Sequence, residues 1–202
     1  MIKKIVTLAC LCIAFSTQAI TLDELQQRFS QQPTVRAEFT QERMIKGMQK
    51  PLKSSGKLII SREKGLWWQQ QKPFPLTLVL DDKRMVQVMA AQAPQTITAE
   101  SNPQMFQFNH LLRALFQADR AVLEQNFALD FSSQANDQWA LILTPKTSPL
   151  DKLFNTITLR GGIYLENIVL DDRQGDSTTI FFTQQRLTPE ALSHDEQQLF
   201  VY

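Results

Sequence analysis

From Val35 onward the chain alternates apolar and polar residues in short runs. Val35, Ala37 and Phe39 alternate with Arg36, Glu38 and Thr40. Runs at Gly56–Ile60, Leu66–Gln70, Leu76–Leu80 and Met85–Met89 follow, with a weaker one near Thr96-Ile97-Thr98. A period of two, broken by charged or Pro-containing stretches such as Arg62-Glu63-Lys64 and Asp81-Asp82-Lys83, predicts antiparallel strands joined by turns. The large apolar residues share one parity: Leu58 with Ile60, Leu66 with Trp68, and Leu76 with Leu78 and Leu80. A sheet with such a face buries it against its own core or around an apolar ligand. Trp67 and Trp68 are adjacent and point to opposite faces, so at least one of them is expected to meet a lid, a ligand or solvent.

Two segments read as helix. Thr21-Leu22-Asp23-Glu24 has the capping-box pattern, Leu22, Leu25 and Phe29 share a face, and Pro33 closes the segment. After Pro103, the residues Phe108, Leu111, Leu112, Leu115 and Phe116 fall at helical spacing, with Leu123 in a further turn. Strands resume at Phe127–Phe131, Trp139–Leu143, Thr156–Leu159, Tyr164–Leu170 and Thr178–Thr183, separated by Asn136-Asp137, Gly161-Gly162 and Gln174-Gly175-Asp176. Leu199–Tyr202 is read as a last short strand. The fold class is mainly β with helices (α+β), and residues 20–202 are expected to form one domain without repeats or linkers.

The N-terminus changes the compartment. Lys3 and Lys4, the apolar run Ile5–Phe15 and the small residues up to Ala19 make a signal peptide over residues 1–19. A lipid-modified Cys10 or Cys12 is the rival reading, disfavoured by the residues before each. The remaining chain of about 183 residues has no cysteine, which excludes disulfides and thiolate chemistry there. Its charge moves from +1 to −1 when Lys3 and Lys4 go, and nothing suggests a nucleic-acid surface. The expected product is soluble in the Gram-negative periplasm.

Catalytic chemistry lacks a constellation. The sequence has no Gly-x-Ser-x-Gly elbow, phosphate-cradling loop or zinc signature. His110 and His194 are single histidines, read as helix-face and surface residues. Asp171, Asp172 and Asp176 flank Gln174-Gly175 and read as a solvated turn in preference to a calcium site. No catalytic residue, metal or cofactor is assigned, and the chain is not expected to be an enzyme.

The run Ala37-Glu38-Phe39-Thr40-Gln41, then Gly56-Lys57-Leu58, Arg62, Leu66-Trp67-Trp68, Pro73, Leu78-Val79 and Asp81-Asp82-Lys83, with Leu143-Thr144-Pro145-Lys146 later, resembles the LolA family. These are periplasmic carriers that escort lipoproteins to the outer membrane. The resemblance spans essentially residues 20–202. It implies a half-open antiparallel β-barrel with a helical lid over an apolar cavity, LolA/LolB-like, shielding acyl chains. Phe39, Leu58, Ile60, Trp68, Leu78 and Leu80 would line the cavity from the sheet. Phe108, Leu111, Leu115 and Phe116 would line it from the lid, and Arg62 would latch that lid in the empty state.

The implied partners are acylated lipoprotein or lipid cargo, an inner-membrane release complex of the LolCDE type or another lipid exporter, and an outer-membrane acceptor of the LolB type. The carrier itself is expected to be a monomer. The chain departs from the family pattern at Glu63, where proline is usual, at Asp82, where glycine is usual, around Gln87-Val88, where an aromatic is usual, and in stopping at Tyr202. Those departures keep open an alternative: a LolA-like accessory or sensor protein serving a different lipid exporter or a regulatory membrane partner.

Overall fold

The computed structural model describes residues 20–81, 83–89, 92–98, 100–101, 114, 120–133 and 137–202. The first helix, α1 (Leu22–Ser30), begins as its sequence dictates. Thr21 Oγ1 accepts from the Glu24 backbone N–H at 3.2 Å, and Glu24 returns the bond to Thr21 N–H at 2.8 Å. The Thr21 N–H and hydroxyl, both donating to the Glu24 carboxylate, hold it below its ordinary pKa.

Six strands follow in a meander: β1 (Thr34–Met44), β2 (Leu52–Ser61), β3 (Gly65–Lys72), β4 (Leu76–Leu80), β5 (Arg84–Met89) and β6 (Gln95–Thr98). A short helix α2 (Arg120–Asn126) leads into β7 (Phe127–Ser133) and β8 (Trp139–Pro145). A four-residue helix α3 (Leu150–Leu153), then β9 (Phe154–Gly161), β10 (Leu165–Asp172), β11 (Ser177–Arg186) and helix α4 (His194–Gln198) complete the described elements.

All the strands form one open sheet in the order β6-β5-β4-β3-β2-β1-β11-β10-β9-β8-β7, every pairing antiparallel. Two meanders therefore meet at the β1–β11 seam. The connection from β6 to β7 has to pass from one edge of the sheet to the other. Ala114, within that connection, is buried among the inner-face residues.

Register explains the single apolar parity. Leu58 lies opposite Trp68, and Trp68 opposite Leu78; Ile60, Leu66, Leu80, Met85 and Ile97 form a second row. On the other meander Ile180, Ile168, Leu159, Leu141 and Phe131 continue across five strands. These rows make the inner core, with α1 lying on it through Leu25, Leu22 and Phe29.

The outer face carries a second, smaller core. Ile59, Trp67, Val79 and Val86 form a row across β2 to β5, and Phe200 closes over it with Leu192 and Leu199 alongside. This corrects one expectation. Leu199–Tyr202 is not a strand: Ser193 caps α4 through a capping box with Glu196, and the chain after it tucks Phe200 onto the sheet. Of the adjacent pair, Trp67 is 6% exposed beneath this C-terminal strap, while Trp68 faces the opposite side and is half-buried.

Arg36 fastens the strap. It lies on the outward parity of β1, yet it is buried. Its guanidinium donates to both carboxylate oxygens of Glu196, at 2.5 and 2.8 Å, and to the carbonyls of Pro189 at 2.7 Å and Ala191 at 3.1 Å. The Arg36 guanidinium draws the Glu196 pKa down to about 2, with the Ser193 cap adding to the effect.

A bulge in β11 sets which side chains enter the interior at this end. Arg36 pairs with Arg186 but Glu38 with Thr183, so β11 carries one extra residue. Gln184 takes it up at φ 52°, a left-handed conformation costly for a residue with a Cβ. The extra residue turns Gln185 inward, where its Nε2 donates to the Leu165 carbonyl at 2.6 Å. Gln184→Gly should raise stability by up to about 1 kcal/mol, and Gln184→Val should lower it. Both are read as shifts of the urea midpoint at unchanged slope.

Candidate functional site

The sheet residues expected to line a cavity do come together. Phe39 on β1, Leu58 and Ile60 on β2, Trp68 on β3, and Leu78 and Leu80 on β4 all belong to the inner apolar cluster. Phe39, Leu58 and Leu80 are fully buried, whereas Trp68 and Leu78 are half-buried. Phe39 and Trp68 stack with ring centroids 3.7 Å apart and 29° between planes. The stack spans β2 at Gly56, which lies opposite Phe39. Here β2 and β3 slip register by one residue and draw so close that a Cβ on Gly56 would sit 1.8 Å from the Gln69 carbonyl oxygen. Only glycine fits this position without moving β3.

The lid residues Phe108, Leu111, Leu115 and Phe116 lie outside the described residues. Helical cover is described at α1 and α2. Asp23 on α1 pairs with Arg120 on α2, and Arg120 Nε also donates to Glu124 at 2.6 Å. Phe29 meets Trp139 edge-on at 5.8 Å, and Trp139 Nε1 donates to the Gly162 carbonyl at 2.8 Å, which also accepts a longer bond from Arg28. The cover helix thus rests on the β9–β10 turn through one aromatic edge and one shared carbonyl.

Two crevices lie against Phe29, one with about 30 Å³ of space between α1 and Val35, Leu58, Ile60 and Phe182, the other with about 20 Å³ toward Leu25, Leu123 and Leu141. Sites for small organic ligands usually offer about 300–1,000 Å³. Both crevices are lined mainly by apolar side chains, with Gln32, Tyr164 and Gln185 as polar neighbours of the first. Because Phe29 lines both crevices, lifting α1 would join them into one groove along the inner face.

Arg62 sits in the turn between β2 and β3, exposed, with its backbone N–H donating to the Pro33 carbonyl at 2.9 Å. It borders an open cleft shared with Glu190, Leu192 and Gln197 of the strap. The lid backbone it was expected to hold is not among the described residues.

No group of three or more His, Cys, Asp or Glu side chains is arranged for a metal among the described residues. Asp176 instead accepts from Lys46 N–H and from Arg43, both at 3.0 Å, which lowers its pKa, while Asp172 accepts from Gln174 N–H within the turn. His194 is the exposed first residue of α4, and His110 lies outside the described residues. No helix among the described residues is long and apolar enough to cross a membrane.

The feature that local sequence patterns missed is the Arg36–Glu196 clamp with its strap. Its one sequence signal was Ser193-x-x-Glu196, the capping-box pattern that had identified α1.

Comparison with known proteins bears on this arrangement directly. The chain is 29% identical over 197 residues to an outer-membrane lipoprotein carrier protein of Dechloromonas aromatica, covering 93% of this chain and 88% of that protein. A protein of the same name from Methylococcus capsulatus is 25% identical over 193 residues, with 91% and 86% covered. Among solved structures, a LolA superfamily protein from Nitrosomonas europaea shares the fold at a TM-score of 0.50 and 10% identity, covering 91% of this chain and 99% of that one. Residues 30–196 match the family described as outer membrane lipoprotein carrier protein LolA, and the chain belongs to that family.

Proposed function

We propose that this protein is a periplasmic, non-enzymatic carrier that shelters acyl chains of lipoproteins or related lipids on the inner face of its open sheet. Family membership supports the reading. The observation that carries it is an apolar inner face whose cover leaves crevices on both sides of Phe29. Residues 1–19 would direct export and be removed, leaving residues 20–202 as the working domain. Cargo would come from an inner-membrane release complex of the LolCDE type and pass to an outer-membrane acceptor of the LolB type.

The energetics follow from competition between cover and cargo. Burying a methylene is worth about 0.8 kcal/mol, so a long acyl chain gains on the order of 10 kcal/mol by leaving water. Part of that gain is spent undocking the apolar face of α1 from the sheet. Affinity is the difference between the two, which lets a partner that favours the covered state pull cargo out. No nucleotide is needed at the carrier; direction comes from partners of graded affinity.

Arg62 is assigned the latch of the covered state. Export of the protein, gentle purification and mass spectrometry should recover acylated cargo, and Leu58→Asp should abolish that recovery. Arg62→Leu, by weakening the empty covered form, should raise the cargo-bound fraction severalfold. Absence of acylated molecules from the wild-type protein would overturn the carrier reading, and normal release by Arg62→Leu would remove the latch.

A further inference from the structure

Strand direction sorts the turns to two ends of the sheet. The β1–β2 and β3–β4 turns, the β10–β11 turn and α3 lie at one end, since Met44 pairs with Ser177, Arg43 with Leu52, Ser55 with Lys72, and Asp172 with Phe154. This end gathers most of the exposed large apolar side chains of the described residues: Met44, Met48, Leu52, Phe74 and Leu153. Phe74, between Pro73 and Pro75, is 76% exposed.

The β1–β2 hairpin at this end is basic, whereas the β10–β11 turn and α3 add Asp171, Asp172, Asp176 and Asp151. Between Glu42 and Lys53 the hairpin carries Arg43, Lys46, Lys50 and Lys53 against the single acid Glu42, and Lys72 stands beside the next turn, in a chain of net charge +1. Two of these cations shape the hairpin, Lys53 pairing with Glu42 at 2.6 Å and Arg43 with Asp176 at 3.0 Å. Asp176 also takes the Lys46 backbone N–H, and Met48 N–H closes the turn on the Ile45 carbonyl at 2.9 Å. The tip is therefore held in shape. The ammonium groups of Lys46, Lys50 and Lys72 meet no carboxylate within ion-pair distance among the described residues.

We propose that this end docks on a bilayer surface containing anionic phospholipid, with Met48, Leu52 and Phe74 entering the headgroup layer and the lysines at the level of the phosphates. Separate apolar tips interspersed with long basic stems suit a deformable, negatively charged layer. A protein partner would call for a contiguous, shape-matched apolar patch. These residues are divided among separate turns. Unbranched methionine adapts to a disordered acyl boundary.

The surface lies apart from the inner face, so its test does not depend on the carrier reading. Delipidated full-length mature protein is mixed with vesicles of phosphatidylcholine containing one-third phosphatidylglycerol, and with pure phosphatidylcholine vesicles, and separated by flotation. Binding should be confined largely to the anionic vesicles and should weaken as salt is raised. Lys46→Glu with Lys50→Glu should weaken it by at least about 30-fold at low salt, with the circular dichroism spectrum unchanged. A fluorophore on Met48→Cys should shift blue on the anionic vesicles alone. Equal binding to both vesicle types, no binding to either, or indifference to the double substitution would overturn the proposal; no binding to either would leave an acidic protein as the partner of this end.

Discussion

Phe39→Ala should cost about 3–5 kcal/mol of folding stability, the usual range for removing a buried aromatic ring. Phe39 is 2% exposed and stacked on Trp68, and the ring spans the place where Gly56 offers no side chain of its own. Neighbours cannot close the gap cheaply, because β2 and β3 are already in backbone contact at Gly56. Urea unfolding followed by tryptophan fluorescence should show the loss as a lowered midpoint at near-constant slope. Phe39→Leu, which keeps most of the volume, should lose about 1–1.5 kcal/mol. Equal losses for the two variants would mean that the ring stack contributes nothing beyond size. A loss below about 1 kcal/mol in Phe39→Ala would contradict the packing.

Arg36→Met should release the C-terminal strap. The depression of Glu196 from 4.5 to about 2 corresponds to a stabilisation on the order of 3 kcal/mol at neutral pH. A carboxyl with a lowered folded-state pKa contributes fully above its unfolded value, and the contribution drains away as pH falls through the folded one. Wild-type stability should accordingly fall between about pH 4.5 and 2 through this group, and Arg36→Met or Glu196→Gln should flatten that part of the profile. Acrylamide quenching separates strap release from global loosening. Trp67, covered by Phe200, should become accessible in Arg36→Met, while Trp139 on the inner side stays shielded. Unchanged quenching together with an unchanged acid profile would rule the clamp out.

The strands were legible because each needs only neighbours in sequence to announce itself. Leu58 and Ile60, or Leu78 and Leu80, repeat every second residue and are bounded by turn chemistry, and their register then follows from keeping one face apolar. The capping box of α1 is equally local. Arg36 was not legible. A cation on the outward parity of a strand reads as solvated, and its burial depends on Glu196 and the Pro189 and Ala191 carbonyls at the far end of the chain. Likewise α4 has five residues, too few for a helical period to register, so the apolar run after it resembled a strand. Nothing in Gln184-Gln185-Arg186 marks a bulge; it arises where the two meanders must be matched at their seam. For the candidate site, parity placed Leu58, Ile60, Trp68, Leu78 and Leu80 on one apolar face, which is where the inner cluster forms.

The β1–β11 seam has a consequence for how the molecule is made. The ribosome delivers β1 early and β11 almost last, so the two halves stay unjoined until nearly the whole polypeptide has emerged. Until then, the inner apolar face of the first meander lacks its lateral neighbour and the outer one lacks the closing Phe200. Pairing of such distant segments places the chain among slow, high-contact-order folders. Newly made copies are thus most prone to aggregate during that interval, and a holding chaperone would matter most before β11 arrives.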